Sequence, residues 1–444
     1  MRPIPSPTLL HLAGTPDPAL QAYVLRNLGL ADPDALQRNM RGVLEHLKQF
    51  DAATANEVVR DLSARKVAGL PRLLLHLLWE DARPEVQAVA LHVLGQHPDR
   101  SELLPELLRL RRHLQDPRAL SALVLALGRI GRDLPFKLFK PFLAHADARV
   151  RANALEVLLE RIHPRLSEVF AVMVNDPSAR VRSLSAAALW RLGNPVLVSL
   201  LEETEDPRAR ASVAFAAGRV GQDPRLADAL FAIAGNEKCP GSLRARAAES
   251  LGRAAGRGDL PRVIGLAYKA AEPELRRQLI DSAAAIDSLG AAAYLTKVLE
   301  KLEATLRVRQ IASTLSLLGG LPVQPEPAVL VPYLEHPDAR VAANAVLVLG
   351  KRTGSPAVTA VLNRSLAHPA PRVAANAAVV LWRQGVVSAF SRLRELASQG
   401  ATAARASAAW ALGQIGGLVA QDLARPMLDD PEESVRRWAF LALK

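Results

Sequence analysis

The sequence predicts an all-α protein, an α-solenoid or α/α superhelix of about twelve to fourteen helical pairs. Three observations carry this. The stretch DARVRANALEVLLERI from Asp147 is written again as DPSARVRSLSAAALWRLG from Asp176, and with variation many more times along the chain. Within it Asp147 can cap a helix on which Val150, Ala154, Val157 and Leu158 fall on one face. Composition agrees, with 50% apolar but only 4% aromatic residues, which suits helices packed through small side chains. Finally, 444 residues exceed the size at which one compact core stops growing, so the chain must stack repeats or split.

Residues 1–15 are proline-rich and read as an irregular lead-in. Residues 16–69 read as degenerate helical repeats, with helices over Pro18–Leu30, Asp34–Phe50 and Asp51–Arg65. From Leu70 the register is firm, and 70–318 forms a repeat array. An apolar anchor recurs at Val86, Ala119, Val150, Val181, Ala209, Leu243, Leu275, Val308, Val341, Val373, Ala404 and Val435, spaced 28 to 34 residues apart. That period fits a first helix of ten to fourteen residues, a turn, and an anchored second helix. First helices are expected over Leu103–Leu114, Phe136–His145, Val169–Val174, Val196–Glu203 and Leu226–Ala234. Asp-Pro and related pairs, such as Asp116-Pro117 and Asp206-Pro207, stand before second helices. Gly131, Gly193, Gly221, Gly385 and Gly416 stand after them. The stretch 319–327, GGLPVQPEP, reads as a linker or hinge, and 328–444 as a second stretch of the array.

The unit D-x-x-V-R-x-x-A-x-x-A-L-x-x-x-G resembles the HEAT repeat, in the short bacterial form similar to phycobilisome lyase HEAT-like repeats, over roughly residues 70–444. The resemblance implies the fold; the functions of such proteins range over scaffolds, lyases, hydroxylases, nucleic-acid binders and regulatory modules. The paired His-Glu motifs of HEAT-type deoxyhypusine hydroxylases are absent, since none of the ten histidines is followed by glutamate. No H-E-x-x-H, P-loop or G-x-S-x-G occurs. Cys239, the one cysteine, precludes an intramolecular disulfide and a multi-cysteine metal site. With no export signal and no apolar run long enough to span a bilayer, the reading is a cytoplasmic, non-enzymatic chain with no cofactor.

The net charge of +12 is spread, +5 over residues 1–222 and +7 over 223–444, so neither half is a basic tail. Arginines flank the anchors, for example Arg149, Arg180, Arg307, Arg340 and Arg372 before and Arg151, Arg182, Arg244, Arg309 and Arg405 after. With Asp147 and Asp176 they predict an Asp-Arg ladder that orders the turns. Asn153, Asn344 and Asn376, three residues past their anchors, are expected to bond backbone groups of a neighbouring turn. Ten residues past the anchor stand Arg129, Arg191, Arg219, Arg253, Lys351 and Arg383. A cation in the last turn complements the helix dipole. The same column, with Trp190, is also the candidate partner-binding track. The functional expectation is a protein-interaction scaffold or adaptor that binds a partner, an acidic one matching its charge, along a solenoid surface. The alternative partner is nucleic acid, as for HEAT-like DNA glycosylases. No transmembrane segment is expected, and the sequence sets no oligomeric state.

Overall fold

A computed structural model describes residues 40–64, 66–67, 69–97, 102–131, 133–161, 163–303, 307–352, 355–399 and 401–443. The expected lead-in over 1–15 and the helix Pro18–Leu30 lie outside them. Among the described residues there are 25 α-helices and no strand. The chain divides into two compact units, unit 1 up to Glu205 and unit 2 from Asp206.

Unit 1 contains α1 (Met40–Gln49), α2 (Ala52–Ala64), α3 (Leu70–Glu80), α4 (Pro84–Gln96), α5 (Leu103–Leu110), α6 (Pro117–Ile130), α7 (Phe136–Leu143), α8 (Ala148–Leu159), α9 (Ser167–Met173), α10 (Ala179–Arg191) and α11 (Val196–Glu203). Unit 2 contains α12 (Pro207–Val220), α13 (Pro224–Gly235), α14 (Gly241–Ala254), α15 (Leu260–Lys269), α16 (Pro273–Glu303), α17 (Val308–Gly320) and α18 (Pro327–Leu330). It continues through α19 (Ala339–Leu349), α20 (Pro356–Ser365), α21 (Pro371–Arg383), α22 (Ala389–Ser398), α23 (Thr402–Ile415), α24 (Gly417–Ala424) and α25 (Glu433–Ala442). In each unit successive second helices stack on one another: α4, α6, α8 and α10 in unit 1, and α12, α14, α16, α17, α19, α21, α23 and α25 in unit 2. Each unit is therefore a solenoidal stack of helical pairs.

First helices are shorter than the period suggests. α5, α7 and α11 have eight residues each, and the expected helix Leu103–Leu114 ends at Leu110 because Arg111–His113 tighten into turns.

Eleven of the twelve second helices begin two residues before the anchor read from the sequence. The exception is α17, which begins at Val308 itself. Shifting its anchor to Gln310 restores the rule, and side-chain bonding agrees. Asn153 Nδ2 donates to Ser121 O (2.9 Å) and Asn376 Nδ2 to Ala343 O (2.9 Å), each two residues past the preceding anchor, and Asn344 Nδ2 donates to Ala312 O (2.8 Å). Val308 is accordingly only half-buried, and Ile311 is buried in its place. Of the other anchors all are buried except Ala209, which is half-buried.

A column of small residues sets the helix spacing. Nine residues past the anchor, Gly95, Gly128, Gly218, Gly252, Gly319, Gly350 and Gly413 face the residue seven past the anchor of the next second helix. A Cβ on Gly218 would come within 2.9 Å of Ser250 Cβ, and on Gly128 or Gly350 it would collide with Val157 or Val380. The absence of a side chain here lets the helices approach closely.

The expected ladder forms. Arg151 Nε and Nη2 each donate to the Asp176 carboxylate at 2.8 Å, and Nη1 donates to His145 O and Ala146 O. Arg405 repeats this on Asp430, and Arg244 bonds Glu272. One guanidinium thus closes its own turn and reaches the next repeat. Aspartates also cap: Asp116 accepts from Arg118 N, Asp147 from Arg149 N and Asp338 from Arg340 N. The glycines at 193, 221, 385 and 416 adopt left-handed φ after second helices, whereas Gly131, at φ −103, does not. α16 is kinked at Asp287, whose extended backbone and bond from Gly290 N (2.9 Å) end one helix and cap the next.

The Arg149 guanidinium and capping backbone hold Asp147 down at a pKa of about 2, and Arg340 lowers Asp338 likewise. Folded-state pKa values below the unfolded value of 3.8 add stability that is present above pH 4 and is lost as pH falls through 4 toward 2. The melting temperature is therefore expected to fall across that window, and Asp147→Asn/Asp338→Asn should flatten the fall in a pH series.

Candidate functional site

Three cavities in unit 2 share lining residues and form one groove over α17, α19, α21, α23 and α25. The first, about 360 Å³, is lined by Tyr268, Arg276, Arg309, Arg340 and Arg372, with the Ser313 and Ser316 side chains. It meets the second, about 430 Å³, at Ser316 and Asn344. Here Leu347, Val348, Val379, Val380 and Trp410 make an apolar floor, with Lys351 and Arg383 at the edge. The third, about 340 Å³, shares Leu347 and Trp410 with the second and ends at Trp438, which is 39% exposed. No aspartate or glutamate lines any of the three.

The repeat grammar builds this surface. Arg309, Arg340 and Arg372 stand one residue before the anchors of three successive second helices once Gln310 is taken as anchor, so they line up along one edge. Asn344 and Asn376 spend their amides on the preceding helix, tying the floor together. Arg340 is paired with Asp338 at 2.7 Å, and Arg276 donates to Ala270 O at 2.6 Å. Arg309 and Arg372 are exposed and show no ion pair or hydrogen bond among the described residues.

Of the candidate partner-binding track, the basic column with Trp190, only Lys351 and Arg383 line the groove, which the anchor-flanking Arg309, Arg340 and Arg372 and the tie residues Asn344 and Asn376 also line. Arg219 and Arg253 lie on α12 and α14 of unit 2, and Arg129 and Arg191 on α6 and α10 of unit 1. Several of these cations bond helix ends: Arg191 Nη1 donates to Leu159 O (2.5 Å), Arg383 Nη2 to Gln414 O (3.0 Å) and Lys351 Nζ to Leu321 O (3.4 Å). Loss of hydration lowers the Lys351 pKa from its ordinary 10.5. Trp190 is 7% exposed, so its ring lies within the helix layer and Arg191 alone of that pair faces solvent. Tyr268, Trp410 and Trp438 were not singled out from the sequence. A signal existed, since Trp438 stands at the position that Asn344 and Asn376 occupy in their repeats.

Among the described residues no group of three His, Cys, Asp or Glu could hold a metal ion, and no helix is long and apolar enough to cross a membrane. Residues 70–159, 166–238 and 363–444, more than half of the chain, match the family described as HEAT repeats. No curated protein matches the chain. Among solved structures it is similar to human deoxyhypusine hydroxylase in complex with glycerol (18% identity, 64% of this chain and 97% of that one, TM-score 0.23). It is also similar to importin beta (12% identity, 99% and 74%, TM-score 0.42) and to the karyopherin Kap121p bound to the extreme C-terminus of the protein phosphatase Cdc14p (14% identity, 98% and 52%, TM-score 0.39). The chain spans about half the length of that karyopherin.

Proposed function

Since the chain belongs to the HEAT-repeat family, we propose that it is a protein-binding scaffold whose unit-2 groove holds an extended acidic segment of a partner. The observation that carries this is a groove with cations along its edge, apolar residues and tryptophans on its floor, and no carboxylate in its lining. An acidic chain satisfies the edge while its apolar side chains fill the floor. The apolar lining favours a protein over nucleic acid, whose phosphates would leave the partly exposed Leu347, Trp410 and Trp438 uncovered.

Geometry sets the spacing of the acids. Neighbouring helix layers lie roughly 10 Å apart, and a chain in polyproline II conformation advances about 3.1 Å per residue and returns to the same face every third residue, so acids three apart meet Lys351 and Arg383 on successive helices. A labelled peptide with glutamate at every third position and leucine between is therefore expected to bind. Lys351→Gln/Arg383→Gln should weaken it on the order of tenfold when compared at matched folded fraction, since both side chains also bond helix ends. Arg129→Gln/Arg191→Gln in unit 1 should leave it unchanged. Equal losses in both variants, or a single-stranded oligonucleotide binding more tightly than the peptide with a steep salt dependence, would overturn the reading.

A further inference from the structure

Resting on the scaffold reading above, we propose that the arginine-lined cavity at one end of the groove recognises a phosphoryl dianion carried on a serine or threonine of the bound segment. Four guanidinium side chains, Arg276, Arg309, Arg340 and Arg372, line a space of about 360 Å³ with no carboxylate in its wall. The Asp338 carboxylate answers only Arg340. Arg276 donates to the neutral carbonyl of Ala270, and Arg309 and Arg372 have no anionic partner among the described residues. Three positive charges are thus left uncompensated around one cavity. A carboxylate answers one of them, whereas a phosphoryl group near neutral pH carries about −1.5 to −2 and offers three acceptor oxygens.

The donors suit that shape. Planar guanidinium groups form paired bonds with phosphate oxygens, and the exposed Ser313 and Ser316 hydroxyls supply neutral donors on the same wall. Two further polar lining groups are already engaged, Asn344 by donating Nδ2 to Ala312 O at 2.8 Å and Tyr268 through Thr314. Thr314 Oγ1 gives its proton to Gln310 O at 2.7 Å, so the Tyr268 hydroxyl, 2.5 Å from Thr314 Oγ1, donates to Thr314. Burial raises the Tyr268 pKa, so its ring stays neutral and forms a fixed wall that adds no competing negative charge. The cavity continues into the cation-edged groove through Ser316 and Asn344, so a phosphorylated residue here is followed directly by the acidic segment.

The test compares two labelled peptides by fluorescence anisotropy on the full chain. One carries glutamate at every third position; in the other, the first glutamate is replaced by phosphoserine, so that the acidic segment follows it. At about pH 7.5 the phosphopeptide is expected to bind on the order of tenfold more tightly. The advantage should shrink at about pH 5.5, below the second phosphate pKa of about 6. Arg309→Gln/Arg372→Gln should abolish the preference while the glutamate peptide, held by Lys351 and Arg383, still binds; the melting temperature of this variant checks its fold. Equal affinities for the two peptides, or a preference that survives the substitutions, overturns the proposal and leaves the scaffold reading standing. Displacement of the phosphopeptide by inorganic phosphate at no more than the peptide's own concentration marks a free-phosphate site and overturns the peptide assignment. If neither peptide binds, both readings fall.

Discussion

Val150→Asp is expected to unfold the repeat stack of unit 1 at temperatures where the parent is folded. Val150 is fully buried at the third position of α8, among Ala154, Val157 and Leu158 of its own helix. A carboxylate there is stripped of water with no cation placed to meet it, because Arg149 and Arg151 are turned to Asp147 and Asp176. Leaving such a charge uncompensated costs about 3 to 5 kcal/mol, or the group takes up a proton to avoid it. In a stack where each repeat contacts only its neighbours, the loss spreads to α6 and α10. Circular dichroism should show a transition displaced by many degrees, and Val150→Ile a small change. A variant melting like the parent would mean that the anchor column does not face the core.

Gly128→Leu is expected to cost about 3 kcal/mol by overpacking. The side chain would enter the space held by Val157 of the next second helix. Val157→Ala relieves that collision, so the double variant should recover at least about 1 kcal/mol relative to the sum of the single changes, as expected for residues in contact. Gly42→Leu is the control, since nothing lies within 4 Å of a Cβ there. Chemical denaturation of the four chains reads the cycle, and strict additivity would reject the close approach of α6 and α8.

Both predictions use features that periodicity made legible to different degrees. The anchor column, the aspartate caps and the asparagine ties were readable because each is a local rule repeated at one position. The register of α17 was not. Val308 is an apolar residue flanked by Arg307 and Arg309, so it imitates the anchor motif while Gln310 holds the structural position. The break at Asp287 was hidden by helix-forming sequence on both sides of it. The groove was only partly visible. Val373 to Leu381 of α21 are buried all round, and no hydrophobic period tells which side of such a helix faces a cavity. Lys351 and Arg383 were found because they recur at helix ends. Arg309 and Arg372 resembled ladder members such as Arg149 and Arg340, and only the missing aspartate partners set them apart.

The central claim, that unit 2 carries the partner-binding groove, is tested most directly by amide hydrogen exchange of the full chain with and without the glutamate-every-third-position peptide. The account predicts slower exchange in the peptides that cover Arg309 to Lys351, Arg372 to Arg383 and Ala406 to Gln414, with α6 and α10 of unit 1 unchanged. Protection centred on Arg129 and Arg191, or saturating binding with no protection in α17, α19 and α21, would contradict it.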